Sequence, residues 1–142
     1  MKKYFTALLL PLISSAVCAE IIDVPMSQLD SRTIKVEYFN DPTYSNVTCY
    51  LSHINDRAWL KHSFPAHTSI SCVLASEITQ PVYIKPFEAL EVYSMYKGNY
   101  DKTVRVNRYY DNFTHSLVYV AYTNQTGLGS MEHSISAVSL SK

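Results

Sequence analysis

Alternation of apolar and polar residues is the feature that most limits what this chain can fold into. In "TIKVEYF", Ile34, Val36 and Tyr38 lie on one side of an extended backbone. Lys35 and Glu37 lie on the other side, and this period of two residues is typical of a half-buried β-strand. The runs "VTCYL" and "ISCVL" repeat the period, and each places a cysteine on its apolar side. The sequence therefore predicts a fold built mainly from strands.

Further strands are predicted along the rest of the chain, at residues 82–85, 88–96, 103–110, 116–123 and 134–140. The run "SLVYVAYT" has almost no polar break, as expected of a central strand covered on both faces. It is separated from "VRVNRYY" by the five residues "DNFTH", and this link fits a β-hairpin. The segment "DRAWLKH" shows no strand alternation and predicts a short helical turn.

Length and composition fit one globular domain. The chain has 142 residues, of which 47% are apolar and 17% charged, and it contains no repeat, low-complexity tract or interdomain linker. We therefore predict a single, mainly β domain over residues 20–142. Its antiparallel strands would form a compact sandwich or a partly closed barrel, with one or two short helices.

The N-terminus has the pattern of a secretory signal peptide. "MKK" supplies positive charge, "YFTALLLPLISS" is apolar but short for a membrane span, and "AVCA" ends in small residues. Cleavage after Ala19 would remove residues 1–19 and leave no stable membrane insertion. A lipoprotein anchored at Cys18 is the alternative, although Val17 and Ser15 stand where a small residue and a leucine are usual.

Removal of this leader leaves two cysteines, Cys49 and Cys72, in a chain exported to an oxidising compartment. An even number of cysteines in that setting predicts a disulfide. Both sulfurs lie on apolar sides of predicted strands, so the bond would be buried. It would link two strands, or a strand and a neighbouring segment. Two free cysteines packed as small apolar residues are the alternative.

Several kinds of chemistry lack their sequence signals. The formal charge is zero and no run of lysine or arginine is present, which argues against nucleic-acid binding. The three glycines form no phosphate-binding loop, and there is no Cys-x-x-Cys pair for a metal. None of the five histidines belongs to a nucleophile motif. The sequence thus predicts no metal site, cofactor or catalytic set, and it favours a protein without enzymatic activity.

The segment "RVNRYYD" is a candidate binding surface. Its residues Arg105, Arg108, Tyr109, Tyr110 and Asp111 combine hydrogen-bond donors with aromatic rings beside a hairpin turn, as protein interfaces do. The simpler interpretation is a strand whose tyrosines and arginines pack across the sheet.

The connection between the two cysteine-bearing strands is a second candidate surface. Residues 53–68 hold Trp59, His62 and His67 and show no strand alternation. The two histidines flank Pro65, but a third ligand for a metal is missing.

The chain resembles the CreA family, small exported proteins of Gram-negative bacteria whose molecular function is not established. The resemblance lies in "FNDP", "NVTCY", "SC", "YD" and "ISAV", in this order, and covers about residues 34–52 and 69–140. Between the cysteines, "HINDRAWLKHSFPAHT" replaces a longer, glycine-rich stretch of the family pattern. The resemblance implies a periplasmic location and a bond between the two cysteines, and it implies no enzyme activity.

Two functional hypotheses follow. The first is a periplasmic binding module that contacts another protein or an envelope component through the tyrosine-rich hairpin or residues 53–68; an inhibitor or immunity protein is one version. The second is a small hydrolase or small-molecule carrier that uses His62, His67 or Arg108. We favour the first, because the sequence predicts a small disulfide-linked β domain with many aromatics and no catalytic set.

Overall fold

The structure is a sandwich of two antiparallel β-sheets. A computed structural model of the chain describes residues 19–27, 30–56, 68–79, 82, 84–97, 102–125 and 132–140. The strands are β1 Ala19–Ser27, β2 Asp30–Asn40, β3 Val47–Asp56, β4 Thr68–Leu74, β5 Leu90–Lys97, β6 Lys102–Asp111, β7 Ser116–Gln125 and β8 His133–Ser139. Consecutive strands pair within each sheet, β1 to β4 in the first and β5 to β8 in the second. The predicted sandwich is confirmed.

The core lies between the two sheets. From the first sheet it takes Val47, Cys49, Leu51, Ile70 and Cys72, on the apolar sides predicted from alternation. From the second sheet it takes Val92, Tyr93, Val104, Val106, Leu117, Tyr119, Ala121 and Val138. β4 packs against β7 and β8, and the backbone N–H of Cys72 donates to Ser136 Oγ at 2.9 Å.

The predicted disulfide joins β3 to β4. Cys49 and Cys72 lie directly opposite each other in the antiparallel ladder, with their Cα atoms 4.0 Å apart, and their sulfurs are bonded. Along its other edge β3 pairs with β2, where buried Phe39 lies directly opposite Cys49. The bond is therefore covered by the core. The link between two strands is therefore confirmed.

The orientation of β2 is the reverse of what its alternation implies. Phe39 is buried and stacks on Tyr93 of the opposite sheet, with ring centroids 4.5 Å apart. Glu37 shares this side, and its Oε2 accepts a hydrogen bond from the Tyr93 hydroxyl at 3.2 Å. The side that carries Ile34 and Val36 therefore faces away from the second sheet. The strand prediction is correct, but the implied buried side is not, because a tertiary contact of Phe39 outweighs the local pattern.

One predicted strand is wrong, and one observed strand was not predicted. Residues 82–85 are wrong as a strand: the described residues of that segment have no strand partner, and Pro81 and Pro86 flank it with nitrogens that cannot donate. β1 is a strand that the sequence analysis did not predict. Its pairing with β2 contains two register shifts, at Glu20/Ile22 and Pro25/Ser27. These shifts interrupt the alternation of apolar and polar residues.

β7 was predicted to be buried on both faces, but only one face is fully buried. Leu117, Tyr119 and Ala121 are fully buried, whereas Val118 and Val120 on the opposite side are only half-buried. No helix occurs in the described ranges, and the helical turn predicted in "DRAWLKH" falls almost entirely on residues outside them. The predicted hairpin of β6 and β7 is confirmed in full register from Asp111↔Ser116 onward.

Candidate functional site

Strand alternation divides the predicted binding cluster between the two faces of β6. Arg108 and Tyr110 point toward the first sheet, whereas Arg105 and Tyr109 point outward. Asp111 ends the strand and belongs to the hairpin turn. The five side chains therefore do not form one surface.

Arg108 lies in the interior, at 2% exposure, and forms an ion pair with the equally buried Asp41. Asp41 begins the loop between β2 and β3, and its carboxylate also accepts hydrogen bonds from the backbone N–H groups of Thr43 and Tyr44 at 2.8 and 2.9 Å. The Tyr119 hydroxyl donates to Asp41 Oδ2 at 2.8 Å. One buried carboxylate thus joins a loop of the first sheet to β6 and β7 of the second.

Aromatic rings complete this interior network. The guanidinium of Arg108 lies over the Tyr44 ring, 4.9 Å from its centroid, and a second nitrogen donates to Thr43 Oγ1 at 3.3 Å. Burial, and then the Asp41 charge, raise the pKa of Tyr119 far above its ordinary value, and burial raises the pKa of Tyr44. Both phenols therefore stay neutral and act as donors or packing groups. The network is structural support for the hairpin above it.

The outward residues of the cluster have ordinary surface contacts. Arg105 Nη1 pairs with Glu91 at 3.1 Å, with both side chains about two-fifths exposed. Tyr109 lies across from Val118 and is half-buried. An exposed pair of this kind contributes roughly 0–1 kcal/mol.

The turn of the β6–β7 hairpin presents an aromatic ring to solvent. Asp111 Oδ1 accepts the backbone N–H of Phe113 at 2.9 Å, and Oδ2 accepts the Thr114 hydroxyl at 2.7 Å. These bonds, led by that of Thr114, lower the pKa of Asp111. His115 closes the turn with φ of 48°. The result is a fixed turn on which Phe113 is 81% exposed.

A second turn places another ring beside it. The N–H of Glu88 donates to the Lys85 carbonyl at 3.2 Å, so Pro86 and Phe87 are the central residues of a β-turn. Phe87 has φ of 59°, in the left-handed region that favours glycine and costs a side-chain-bearing residue roughly 1–2 kcal/mol. Phe87 is 59% exposed, and its ring centroid lies 6.4 Å from that of Phe113.

A groove of about 330 Å³ lies beside the β6–β7 turn. It is lined by Ile78, Val82, Tyr110, His115 and Leu140. The Tyr110 hydroxyl and His115 Nδ1 lie 3.1 Å apart and form the polar part of its wall.

Backbone hydrogen bonds connect the groove to the two turns. The Tyr110 carbonyl accepts from Phe87, and the His115 carbonyl accepts from Leu140, at 3.1 and 2.9 Å. We call this groove, together with Phe87 and Phe113, the hairpin-end patch.

The interior holds one more polar cluster among the described residues. His53, at 1% exposure, lies with Nε2 3.3 Å from Glu37 Oε1, and Glu37 also accepts the Tyr93 hydroxyl. In the part of the chain that the structure describes, no group of three or more His, Cys, Asp or Glu residues is arranged to hold a metal ion.

Some predicted site residues lie outside the described structure, and some residues of the observed site were not predicted. Trp59, His62 and His67 fall outside the described residues, so their role as a contact surface stays a prediction. Phe87, Phe113 and Asp41 were not predicted as site residues. A phenylalanine in the otherwise polar turn "DNFTH" is the signal that could have identified Phe113.

The fold and the site define a small disulfide-linked β-sandwich with two exposed aromatic rings beside a groove at one end. The chain belongs to the CreA family: the profile of the CreA protein family matches residues 24–142. Members of this family are known as periplasmic proteins. The resemblance seen in the sequence is confirmed.

Relatives in Escherichia coli support the same assignment. The chain is 33% identical over 112 residues to Protein CreA of Escherichia coli strain K12, covering 74% of this chain and 71% of the relative. The same values hold for Protein CreA of strains O6:H1 and O157:H7. No solved structure gives a significant match. Across the described ranges, no helix is long and apolar enough to cross a membrane.

Proposed function

We propose that this chain is an exported, periplasmic and non-enzymatic interaction module, and that it binds an apolar segment of a partner protein in the hairpin-end patch. The leader pattern of residues 1–19 and the periplasmic location known for the family support export. The patch supplies the binding surface, because clustered aromatic side chains on rigid supports dominate the energetics of protein interfaces.

The observation that carries the proposal is the conformation of Phe87. Glycine is the residue that best fits the left-handed third position of a turn, yet this position holds a phenylalanine that is 59% exposed. The chain therefore keeps a ring on the surface at a cost in backbone free energy. Residues strained in this way cluster at functional sites.

The supports of the patch are rigid. Asp111 holds the hairpin turn, and the Tyr110 carbonyl holds the 85–88 turn. Beneath them, the buried ion pair of Asp41 and Arg108 fixes β6 against the first sheet. A preformed aromatic surface loses little conformational entropy when it binds, so it favours affinity.

The test is capture of partners from periplasmic extract with the tagged, oxidised chain, read by mass spectrometry. We expect one partner near stoichiometric amount with the native chain. Phe87→Gly and Phe113→Ala should each reduce capture about 30-fold, the effect of losing about 2 kcal/mol at an aromatic anchor. Ile135→Ala is the matched control, because Ile135 is 66% exposed on the outer face of the second sheet.

Two outcomes would contradict the proposal. One is equal capture by native chain and both phenylalanine variants, which would move binding away from the patch. The other is no captured protein at all with a folded chain, which would favour a small-molecule ligand instead.

A further inference from the structure

One wall of the groove in the hairpin-end patch can change its charge. Ile78, Val82 and Leu140 form the aliphatic part of the lining, and Tyr110 and His115 form the polar part. Histidine ordinarily gains its positive charge as the pH falls from about 8 to about 5. Among the described residues that line the groove, His115 is therefore the one whose charge responds to pH in this range.

The imidazole ring of His115 is held at the groove by its neighbours. The residue ends the β6–β7 turn in the left-handed region, with φ of 48°, where histidine is tolerated better than most residues. Its carbonyl accepts the backbone N–H of Leu140 at 2.9 Å, and its Nδ1 lies 3.1 Å from the Tyr110 hydroxyl. A segment that fills the groove therefore covers part of this ring, which is exposed in the free chain.

Protonation changes the contact between Tyr110 and His115 as well as the charge. A neutral imidazole can accept the Tyr110 proton at Nδ1, whereas an imidazolium has a donor on both nitrogens. The tyrosine oxygen must then accept from Nδ1, and its own proton turns away from the imidazole. The polar wall of the groove thus gains a positive charge and a reoriented hydroxyl donor.

The groups around His115 offset a positive charge only weakly. Asp111 is the carboxylate that acts on it from β6, and the pKa of Asp111 is lowered mostly by the Thr114 hydroxyl and least by the charge of His115. The lining that the other described elements contribute is aliphatic. In the described part of the chain, the charged residues of the neighbouring segments that do not line the groove are Glu77, Lys85 and Glu88.

We propose that the hairpin-end patch binds its partner in a pH-dependent manner, tightly when His115 is neutral and weakly when it is charged. This inference rests on the proposed function and adds a regulation to the same site. An apolar segment in the groove takes the imidazole out of water, and burial disfavours the charged form. Binding is therefore strongest above the histidine range and weakens as the pH falls through it, by about tenfold for a modest degree of burial.

The test repeats the capture from periplasmic extract at pH 7.5 and at pH 5.5, with the tagged, oxidised chain shown by circular dichroism to be folded at both. We expect the native chain to retain about tenfold less of the partner at pH 5.5. His115→Asn should capture nearly equal amounts at both, because asparagine does not titrate and tolerates the left-handed conformation. Phe113→Ala is measured alongside at pH 7.5, and it reports whether the patch itself binds.

The outcomes separate this inference from the proposed function. Capture by the native chain that is equal at both pH values, but reduced in Phe113→Ala, would overturn the pH dependence and leave the binding role intact. The same fall at pH 5.5 in the native chain and in His115→Asn would also overturn it, since the titrating group would then lie elsewhere. No capture at pH 7.5, or full capture by Phe113→Ala, would overturn the proposed function and this inference together.

Discussion

Removing Arg108 should destabilise the domain far more than removing Arg105, three residues earlier on the same strand. Arg108→Ala leaves the Asp41 carboxylate buried without its cation. Breaking a buried ion pair in this way costs about 3–5 kcal/mol. Asp41 keeps the Tyr119 hydroxyl and two backbone N–H groups, so we expect the lower end of that range, about 3 kcal/mol.

That magnitude is large for a domain of this size. Total stabilities are roughly 5–15 kcal/mol, so the variant would lose a fifth or more of the whole. Its melting temperature should fall by about 10 °C, taking about 3–5 °C per kcal/mol for a domain between the small and medium size classes. Arg105→Ala breaks only an exposed pair with Glu91 and should lose about 0–1 kcal/mol.

Urea unfolding followed by circular dichroism measures both variants. A double-mutant cycle of Asp41→Asn and Arg108→Met then isolates the interaction between the two side chains, which should exceed about 1 kcal/mol. The reasoning is refuted if Arg108→Ala unfolds at the same urea concentration as Arg105→Ala. A coupling near zero would refute it as well.

Three further predictions concern the disulfide and the two turns. Cys49→Ser opens a link that spans 23 residues and should lose roughly 3 kcal/mol; an unchanged melting temperature would contradict this. At the 85–88 turn, Phe87→Gly should be more stable than Phe87→Ala by about 1 kcal/mol, because only glycine relieves the positive φ; equal stabilities would argue against strain. The lowered pKa of Asp111 means that its contribution to stability is present above the ordinary carboxyl pKa and lost as pH falls through the lowered value. The stability difference between native chain and Asp111→Asn should therefore be larger at pH 7 than at pH 2.5, and a constant difference would count against the turn's role.

Local patterns in the sequence predict much of the fold. Period-two alternation identifies β2, β3 and β4, and the spacing of "VRVNRYY" and "SLVYVAYT" identifies the β6–β7 hairpin. The disulfide is predicted from the two cysteines that lie outside the predicted leader. These features depend on residues near one another along the chain, so a single sequence suffices.

Features that depend on the second sheet are not predictable in this way. The buried side of β2 is set by Phe39 stacking on Tyr93, more than fifty residues away. Arg108 looks like a surface donor until Asp41, in a distant loop, meets it in the core. The left-handed conformation of Phe87 has no local signal either, because glycine is the residue that normally reports it.

The most direct test of the account's central claim is photo-crosslinking in living cells, with a photoreactive phenylalanine analogue in place of Phe113 and, separately, of Ile135. Both positions are well exposed, at 81% and 66%, so neither substitution should disturb the fold. The account predicts a light-dependent adduct of one discrete mass at position 113 and none of that mass at 135. An absence of adducts at 113, or the same adduct at both positions, would contradict a binding role for the hairpin-end patch.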